Sequence, residues 1–299
     1  MKLDLEQSRA VVHAAIDNGI TLLDTADAYG DSEAHLGEIL ADAGSGVRDD
    51  LVIATKFGSD LRRFAPGNVP GADWGARGSR RYIKRAVEGS LRRLRTDWID
   101  LYQMHYPDPL TPIEETLSAL DDLVHEGKVR YIGHSNFKGW QAVEAEWQAR
   151  TGGFGRFISA QNDYSLLKRR IETDLVPALE QYDIGLLPYF PLASGMLTGK
   201  YRRGEGAPEG SRLKAWKMES ALNDKTFDVL EKLEAFASAR SITLLEVAIG
   251  GLAAQPAVAS VIAGATSPEQ VAANAKAGEW RPSVEDLGEI DGITSGSRG

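Results

Sequence analysis

Trp98-Ile-Asp-Leu-Tyr-Gln-Met-His105-Tyr-Pro-Asp-Pro-Leu-Thr111-Pro-Ile-Glu114 holds a strand, a turn and the start of a helix. Residues 98–104 are apolar and aromatic and read as a strand. A proline-containing turn follows. Thr111-Pro112-Ile113-Glu114 then reads as a capping-box start with proline at the first helical position. That helix ends near Gly127, and residues 129–133 form the next strand. One strand–helix–strand unit is therefore legible in a single short stretch.

The alternation continues in both directions. Upstream lie an amphipathic helix over 5–18 closed by Gly19, a strand over 20–24, a helix over 33–41 and a strand over 51–55. Ser79 opens a further helix with Ile83, Ala86, Val87, Leu91 and Leu94 on one face. Downstream come a helix over 138–148, a strand over 158–161, a helix over 171–182 and a strand over 184–189. A long irregular stretch, 191–223, is rich in glycine and in Arg/Lys. Helices over 224–240 and 243–255, a last strand over 258–263 and a helix opened by Ser267-Pro268-Glu269 complete the pattern. Residues 295–299 read as a disordered tail.

Strands alternating with helices predict an α/β fold with a parallel sheet and helical crossovers. No proline-rich or low-complexity linker interrupts it, so residues 1–299 read as one domain. A closed (β/α)8 TIM-type barrel needs eight strands. Seven are legible, and the shortage falls at the beginning, where the sequence opens directly with a helix.

Composition narrows the function. The 34 basic and 43 acidic residues give a net charge of -9, which argues against nucleic acid as the main partner. Cysteine is absent, which excludes disulfides, a thiol nucleophile and a thiolate metal site. No apolar run is long enough to span a bilayer, and the opening residues lack an apolar signal core. The expectation is a cytoplasmic protein working on small molecules, away from membranes and nucleic acid, with no metal implied.

Four polar residues stand at or just beyond strand ends: Asp24, Tyr29, Lys56 and His105. In an α/β barrel the C-terminal strand ends form the active site. Asp24 is placed to keep Lys56 charged. A nearby ammonium favours phenolate, so Lys56 is expected to lower the pKa of Tyr29 and make it a usable general acid. His105 is placed to hydrogen-bond and orient a substrate carbonyl. Taken singly, a strand-end lysine is more often a structural ion pair and a turn tyrosine only a turn residue. Their arrival together points to chemistry. On the far side of the sequence, the run from Val258 to Gly264, then Thr266-Ser267-Pro268, is a strand, a glycine and a helix N-terminus, a combination suited to a phosphate.

These residues are where the sequence resembles the aldo-keto reductase superfamily. The motifs read Asp24-Thr25-Ala26-Asp27-Ala28-Tyr29-Gly30, Thr55-Lys56 and Asp100-Leu101-Tyr102-Gln103-Met104-His105-Tyr106-Pro107-Asp108. The resemblance runs nearly end to end and implies reversible NAD(P)H-dependent reduction of an aldehyde or ketone. It carries the general acid to Tyr29, its tuner to Lys56, the supporting carboxylate to Asp24 and the carbonyl-orienting role to His105. It implies that Ser135, Asn136 and Gln161 hold the nicotinamide carboxamide and that Tyr189 stacks on the ring. Phe190, Pro191, Leu192 and Ala193 open a stretch that is nearly a family signature, and Lys200 and Arg212 are the cations expected near the phosphates. Gly264, Thr266, Gln270 and Asn274 match the adenosine and phosphate contacts. NADP is favoured over NAD on family grounds, with Arg212 the cation available for the 2′-phosphate.

The sequence also departs from the family. An opening hairpin and a first strand with a Gly-Leu-Gly-Thr-like motif are absent from it. Phe190 stands where a serine is common, and His134 where an aliphatic residue is usual. The missing strand motivates a second reading, a cofactor-binding regulatory protein with little turnover, of the kind found among potassium-channel β subunits. A third takes Lys56 as a Schiff-base lysine. Asp24 would keep such a lysine charged, whereas an aldolase lysine attacks when neutral. Loops over 57–77, 106–110 and 202–217 are expected to line the substrate pocket.

Overall fold

The computed structural model describes residues 3–59 and 75–298. Among them, six strands form one parallel sheet in sequence order: β1 (Leu22–Asp24), β2 (Val52–Phe57), β3 (Ile99–Met104), β4 (Val129–Ser135), β5 (Ser159–Asp163) and β6 (Gly185–Tyr189). The helices are α1 (Leu5–Asp17), α2 (Ser32–Ala43), α3 (Ser45–Asp49), α4 (Arg80–Leu94), α5 (Ile113–His125), α6 (Gly139–Gly152), α7 (Leu175–Tyr182), α8 (Arg212–Ala215), α9 (Asp224–Ala239), α10 (Leu244–Ala253), α11 (Pro268–Ala277) and α12 (Val284–Thr294). Parallel neighbours need crossovers, and helices supply them between most of the strands.

The sheet is curled. Ala54, Leu101 and Leu187, from β2, β3 and β6, meet in one small apolar cluster with Leu22 and Ile262. Residues on the opposite faces of the strands pack outward. Ile53, Phe57, Tyr102 and Met104 join Leu117, Leu120 and Leu123 of α5 in a larger core. A second core joins Ala160 and Leu186 to α7, α9 and α10. Each fully buried leucine there contributes roughly 1.5–3 kcal/mol. The architecture is an α/β fold whose curled parallel sheet forms part of a TIM-type barrel.

The seventh predicted strand is corrected. Residues 257–262 run parallel to β6: Leu186 N–H donates to Ala257 O (2.7 Å), Ala259 N–H to Leu186 O (2.9 Å) and Ile262 N–H to Pro188 O (3.0 Å). The pairing amounts to one isolated bridge between Leu186 and Val258. The cause is Pro188 on β6, which has no N–H to donate and so breaks the ladder. Beyond this segment lies a cavity of about 750 Å³. Leu22, Leu23 and Asp24 of β1 form one wall, Ile262, Ala263 and Gly264 the other, and α1 packs on α11 beside it.

Two local expectations also change. Pro112 is the N-cap of α5 rather than its first residue, and no capping box forms. Thr111 Oγ1 donates instead to the Asp108 carboxylate (2.7 Å), which also accepts from Gly78 N (2.7 Å). A charged acceptor outcompetes a neutral one. The expected disordered tail is ordered over Ser295–Arg298, a 3₁₀ turn. Arg298 there pairs with Glu172 (2.9 Å) and with Asp291.

His134 on β4 is 0% exposed. Its ring stacks on Phe137 (4.5 Å) and meets Phe157 edge-on (5.3 Å). Neither ring nitrogen has a partner among the described residues. Burial therefore pulls its pKa down to about 3 from 6.5. The unfolded chain takes up this proton below pH 6.5 and the folded chain does not. Stability is thus complete above that value and falls as the pH drops toward 3. Between pH 7 and pH 5 this group is expected to cost about 2 kcal/mol. His134→Leu should remove that part of the acid dependence. Urea unfolding of both proteins at the two pH values checks it, and identical pH slopes would count against the assignment.

Candidate active site

The β1–β2 ladder continues past the strand end. Thr25 N–H donates to Ala54 O (2.8 Å) and Asp27 N–H to Lys56 O (3.1 Å). A turn then follows, with Tyr29 N–H donating to Ala26 O (3.1 Å) and Gly30 at φ 62°. This path brings Tyr29 back over Lys56, whose Nζ lies 5.1 Å from the phenol ring centre.

Lys56 is 0% exposed. Its Nζ donates to Asp24 Oδ2 (2.5 Å) and to Thr25 O (2.8 Å). Asp24 Oδ1 accepts from Gln161 Nε2 (2.9 Å) and from Gln103 Nε2 at 3.4 Å. A buried ion pair is tolerated only when its remaining hydrogen-bonding capacity is met in this way.

His105 is fixed by its own N–H, which donates to Phe57 O (2.8 Å). Its ring stacks on Tyr106 (4.9 Å) and sits edge-on to Tyr29 (5.7 Å). Burial, and then the Lys56 charge, hold its pKa down at about 3. The imidazole is neutral and has one N–H to offer a ligand.

Tyr29 runs opposite to the sequence expectation. The residue as a whole is 44% exposed, yet its pKa is raised above 10, by burial first and by the Asp24 charge second. Asp24 offsets the ammonium at 2.5 Å, so Lys56 does not pull the phenol down. The phenol stays protonated across the physiological range.

The residues assigned to the cofactor fall into two groups. Ser135, Asn136, Gln161 and Tyr189 are joined to the cluster that holds Asp24 and His105. Ser135 Oγ donates to Gln161 O (2.6 Å), Asn136 Nδ2 to His105 O (2.9 Å) and Tyr189 Oη to Asn136 Oδ1 (2.7 Å). Asn136 adopts φ 63°, a conformation in which asparagine is enriched.

The second group lies beyond β6. Phe190 (φ 53°), Ala193 (φ 47°) and Ser194 (φ 57°) are all left-handed, within one turn that includes Pro191 and Leu192. Non-glycine residues in this region store strain and cluster at functional sites. Arg212 rests on Phe190 (5.6 Å) and Trp216 (5.2 Å). Lys200 lies against Gly195 and over the Tyr201 ring (5.3 Å). Neither cation has a carboxylate partner among the described residues. Burial lowers the pKa of Arg212. Gly264 faces Arg212, so a side chain there would meet the guanidinium. Thr266 N–H donates to Gln270 Oε1 (2.8 Å), and Ser267 caps α11, which carries Gln270 and Asn274. The 750 Å³ cavity touches Asp24, Tyr29, Gly264 and Asn274, and its lining does not include Lys56 or His105.

Sequence reading does not single out Gln103, Asp27 or Trp216. Gln103 sits two residues before His105, so period-two alternation puts both on one face, and that signal was available. Asp27 lies inside the Asp24–Tyr29 motif. Burial first, and then the neighbouring Glu33 charge, raise its pKa to about 7. Glu33 itself accepts from Thr55 Oγ1 (2.6 Å) and Arg93 Nε (2.7 Å). Of the expected pocket loops, 60–74 lies outside the described residues.

A family model described as the Aldo/keto reductase family matches residues 1–295. The chain is 34% identical over 283 residues to a probable voltage-gated potassium channel subunit beta from Oryza sativa subsp. japonica, covering 92% of this chain and 83% of that protein. It is 33% identical over 304 residues to the L-glyceraldehyde 3-phosphate reductase of Escherichia coli O157:H7, covering 96% and 83%. It is 33% identical over 298 residues to the aldo-keto reductase YhdN of Bacillus subtilis (strain 168), covering 97% and 84%.

Proposed function

The chain belongs to the aldo/keto reductase family, and from that premise we propose that it reduces an aldehyde or ketone to an alcohol with NADPH in the cytoplasm, Tyr29 acting as general acid. The observation that carries this reading is a protonated phenol above a buried Lys56–Asp24 pair and edge-on to a neutral His105. The acid lies within ring-contact distance of both the orienting donor and the lysine, an arrangement suited to carbonyl reduction.

The chain's residues suit a nicotinamide dinucleotide. Two cations without acidic partners among the described residues, a glycine beside one of them and a capped helix N-terminus make an anion-binding end. Ser135, Asn136 and Gln161 would hold the carboxamide, Tyr189 the ring, and the turn Phe190–Ala193 with Lys200 and Arg212 the phosphates. Gly264, Thr266, Gln270 and Asn274 would hold the adenosine side. When bound, the cofactor supplies a hydride to the carbonyl carbon. His105 donates a hydrogen bond to the carbonyl oxygen and aligns it. Tyr29 gives its hydroxyl proton to that oxygen, and solvent reprotonates the phenolate left behind. Asp24 keeps Lys56 in place.

Titration of the 299-residue protein with NADPH and NADH, followed by tryptophan fluorescence, tests the cofactor. Trp216 beside Arg212 should report binding. Oxidation of bound NADPH by 4-nitrobenzaldehyde tests the reaction. Binding with turnover is expected. Binding without turnover would favour the regulatory reading that the channel-subunit relative suggests. A folded chain that binds neither nucleotide would overturn the proposal.

A further inference from the structure

Arg212 is a half-buried cation, and among the described residues no carboxylate pairs with it. Burying a charge without a counter-charge costs free energy. Its guanidinium carbon lies over two aromatic rings instead, 5.6 Å from the centre of Phe190 and 5.2 Å from that of Trp216. The ring centres are 5.8 Å apart, and the rings are inclined at 62°. The three centres thus form a nearly equilateral triangle, with the cation in the angle between the rings. Phe190 is 37% and Trp216 48% exposed, so neither ring is there as core packing.

The local sequence builds this clamp. Ser211 caps the single turn α8, and buried Leu213 anchors it on the second core. Trp216 N–H donates to Arg212 O (2.9 Å), so two side chains four residues apart share one face of the turn. Phe190 enters from the end of β6 in the left-handed conformation, φ 53°. A guanidinium offers its faces to aromatic rings and keeps its N–H donors in its own plane. The rings therefore hold the group and use none of its donors. Arg212 Nη2 lies 3.9 Å from the place that a Cβ on Gly264 would take. Gly264 leads to the capped N-terminus of α11, the end assigned to adenosine. Lys200, by contrast, lies against Gly195 in the turn after β6.

We infer that Phe190 and Trp216 are positioning residues that hold the Arg212 guanidinium for the 2′-phosphate of NADPH. This rests on the reductase reading. The 2′-phosphate is carried on the adenosine ribose, and NADH lacks it. A phosphate monoester brings about two negative charges and can accept two parallel N–H bonds, the counter-charge that no described side chain gives Arg212. Where a serine at position 190 would donate one neutral hydrogen bond, the phenyl ring instead steadies a full charge.

Calorimetric titration of the 299-residue protein with NADPH and with NADH tests this. The unmutated protein should bind NADPH about tenfold more tightly or better. Trp216→Leu keeps an apolar side chain and removes the ring. It should weaken NADPH about fivefold and NADH by less than about twofold. Trp216→Phe, which restores a ring, should recover most of the difference. In an Arg212→Met background, Trp216→Leu should cost less than about twofold for either nucleotide, because the group it positions is gone. Thermal melts check folding, and Phe190→Leu repeats the measurement from the other ring if Trp216→Leu folds poorly. Equal weakening of NADPH and NADH would show that the ring touches the part both nucleotides share and would overturn the inference. An undiminished effect without Arg212 would do the same. Equal affinity of the unmutated protein for the two nucleotides would overturn the inference and leave the reductase reading standing. A folded chain that binds neither would remove that reading and this inference with it.

Discussion

Tyr29→Phe is expected to slow reduction of 4-nitrobenzaldehyde by about a hundred- to ten-thousandfold, the range for losing a positioned general acid. NADPH affinity should change by less than about twofold, because Tyr29 is not among the residues assigned to the cofactor. The phenylalanine keeps the ring near Lys56 and against His105 and removes only the hydroxyl. The pH dependence follows from the same groups. A general acid is active while protonated, and Tyr29 titrates above 10. His105 is already neutral above about pH 3. Reduction should therefore be flat through the neutral range and decline only in strong alkali. Alcohol oxidation needs the phenolate and should rise about tenfold per pH unit over the same interval. An alkaline decline of reduction already complete by about pH 8 would contradict the raised phenol pKa. Asp27 titrates near pH 7, so a shallow inflection there belongs to it only if Asp27→Asn removes the feature.

Breaking the Lys56–Asp24 pair from one side should be the most destabilising change in the site. Lys56→Met leaves a carboxylate that is 8% exposed, and Asp24→Asn leaves an ammonium that is 0% exposed. Either change should cost about 3–5 kcal/mol, the range for an uncompensated buried charge. Replacing both, as Lys56→Met with Asp24→Leu, should recover most of the stability, since neither charge remains. Turnover should be lost in all three. Urea unfolding beside an NADPH oxidation assay separates the two effects. A double variant as unstable as the sum of the singles would show that the residues matter for packing rather than as a charge pair.

The strands and helices were legible where apolar periodicity and a stop residue agreed, as in α1, read from its apolar face and from Gly19. The boundaries of β2 and β3 were close for the same reason. Sequence reading failed where a non-local partner decided the outcome. Pro188 on β6 cost residues 258–263 their strand, although their own composition favours one. Asp108 drew Thr111 away from the start of α5. Arg298 reached Glu172, 126 residues earlier, and ordered a tail whose composition predicts disorder. In the site, Asp24, Tyr29, Lys56 and His105 were found from strand ends, and they meet. The direction of the Tyr29 shift was not legible, because it depends on how far Asp24 offsets Lys56 and how deeply the phenol is packed. Gln103 shares a strand face with His105, which alternation could have shown; its contact with Asp24, 79 residues away, could not be read.

The strict order of the sheet has a consequence for how the protein matures. Among the described residues the six strands pair in sequence order, so folding can advance unit by unit as the polypeptide leaves the ribosome. The candidate site does not share that locality. Asp24 comes from the first strand, and the Gln161 amide that holds it lies 137 residues further on. Tyr189 arrives later still. A nascent chain with four strands docked would already possess much of its core and still lack an assembled candidate site, so that site comes together in the closing stages of biogenesis.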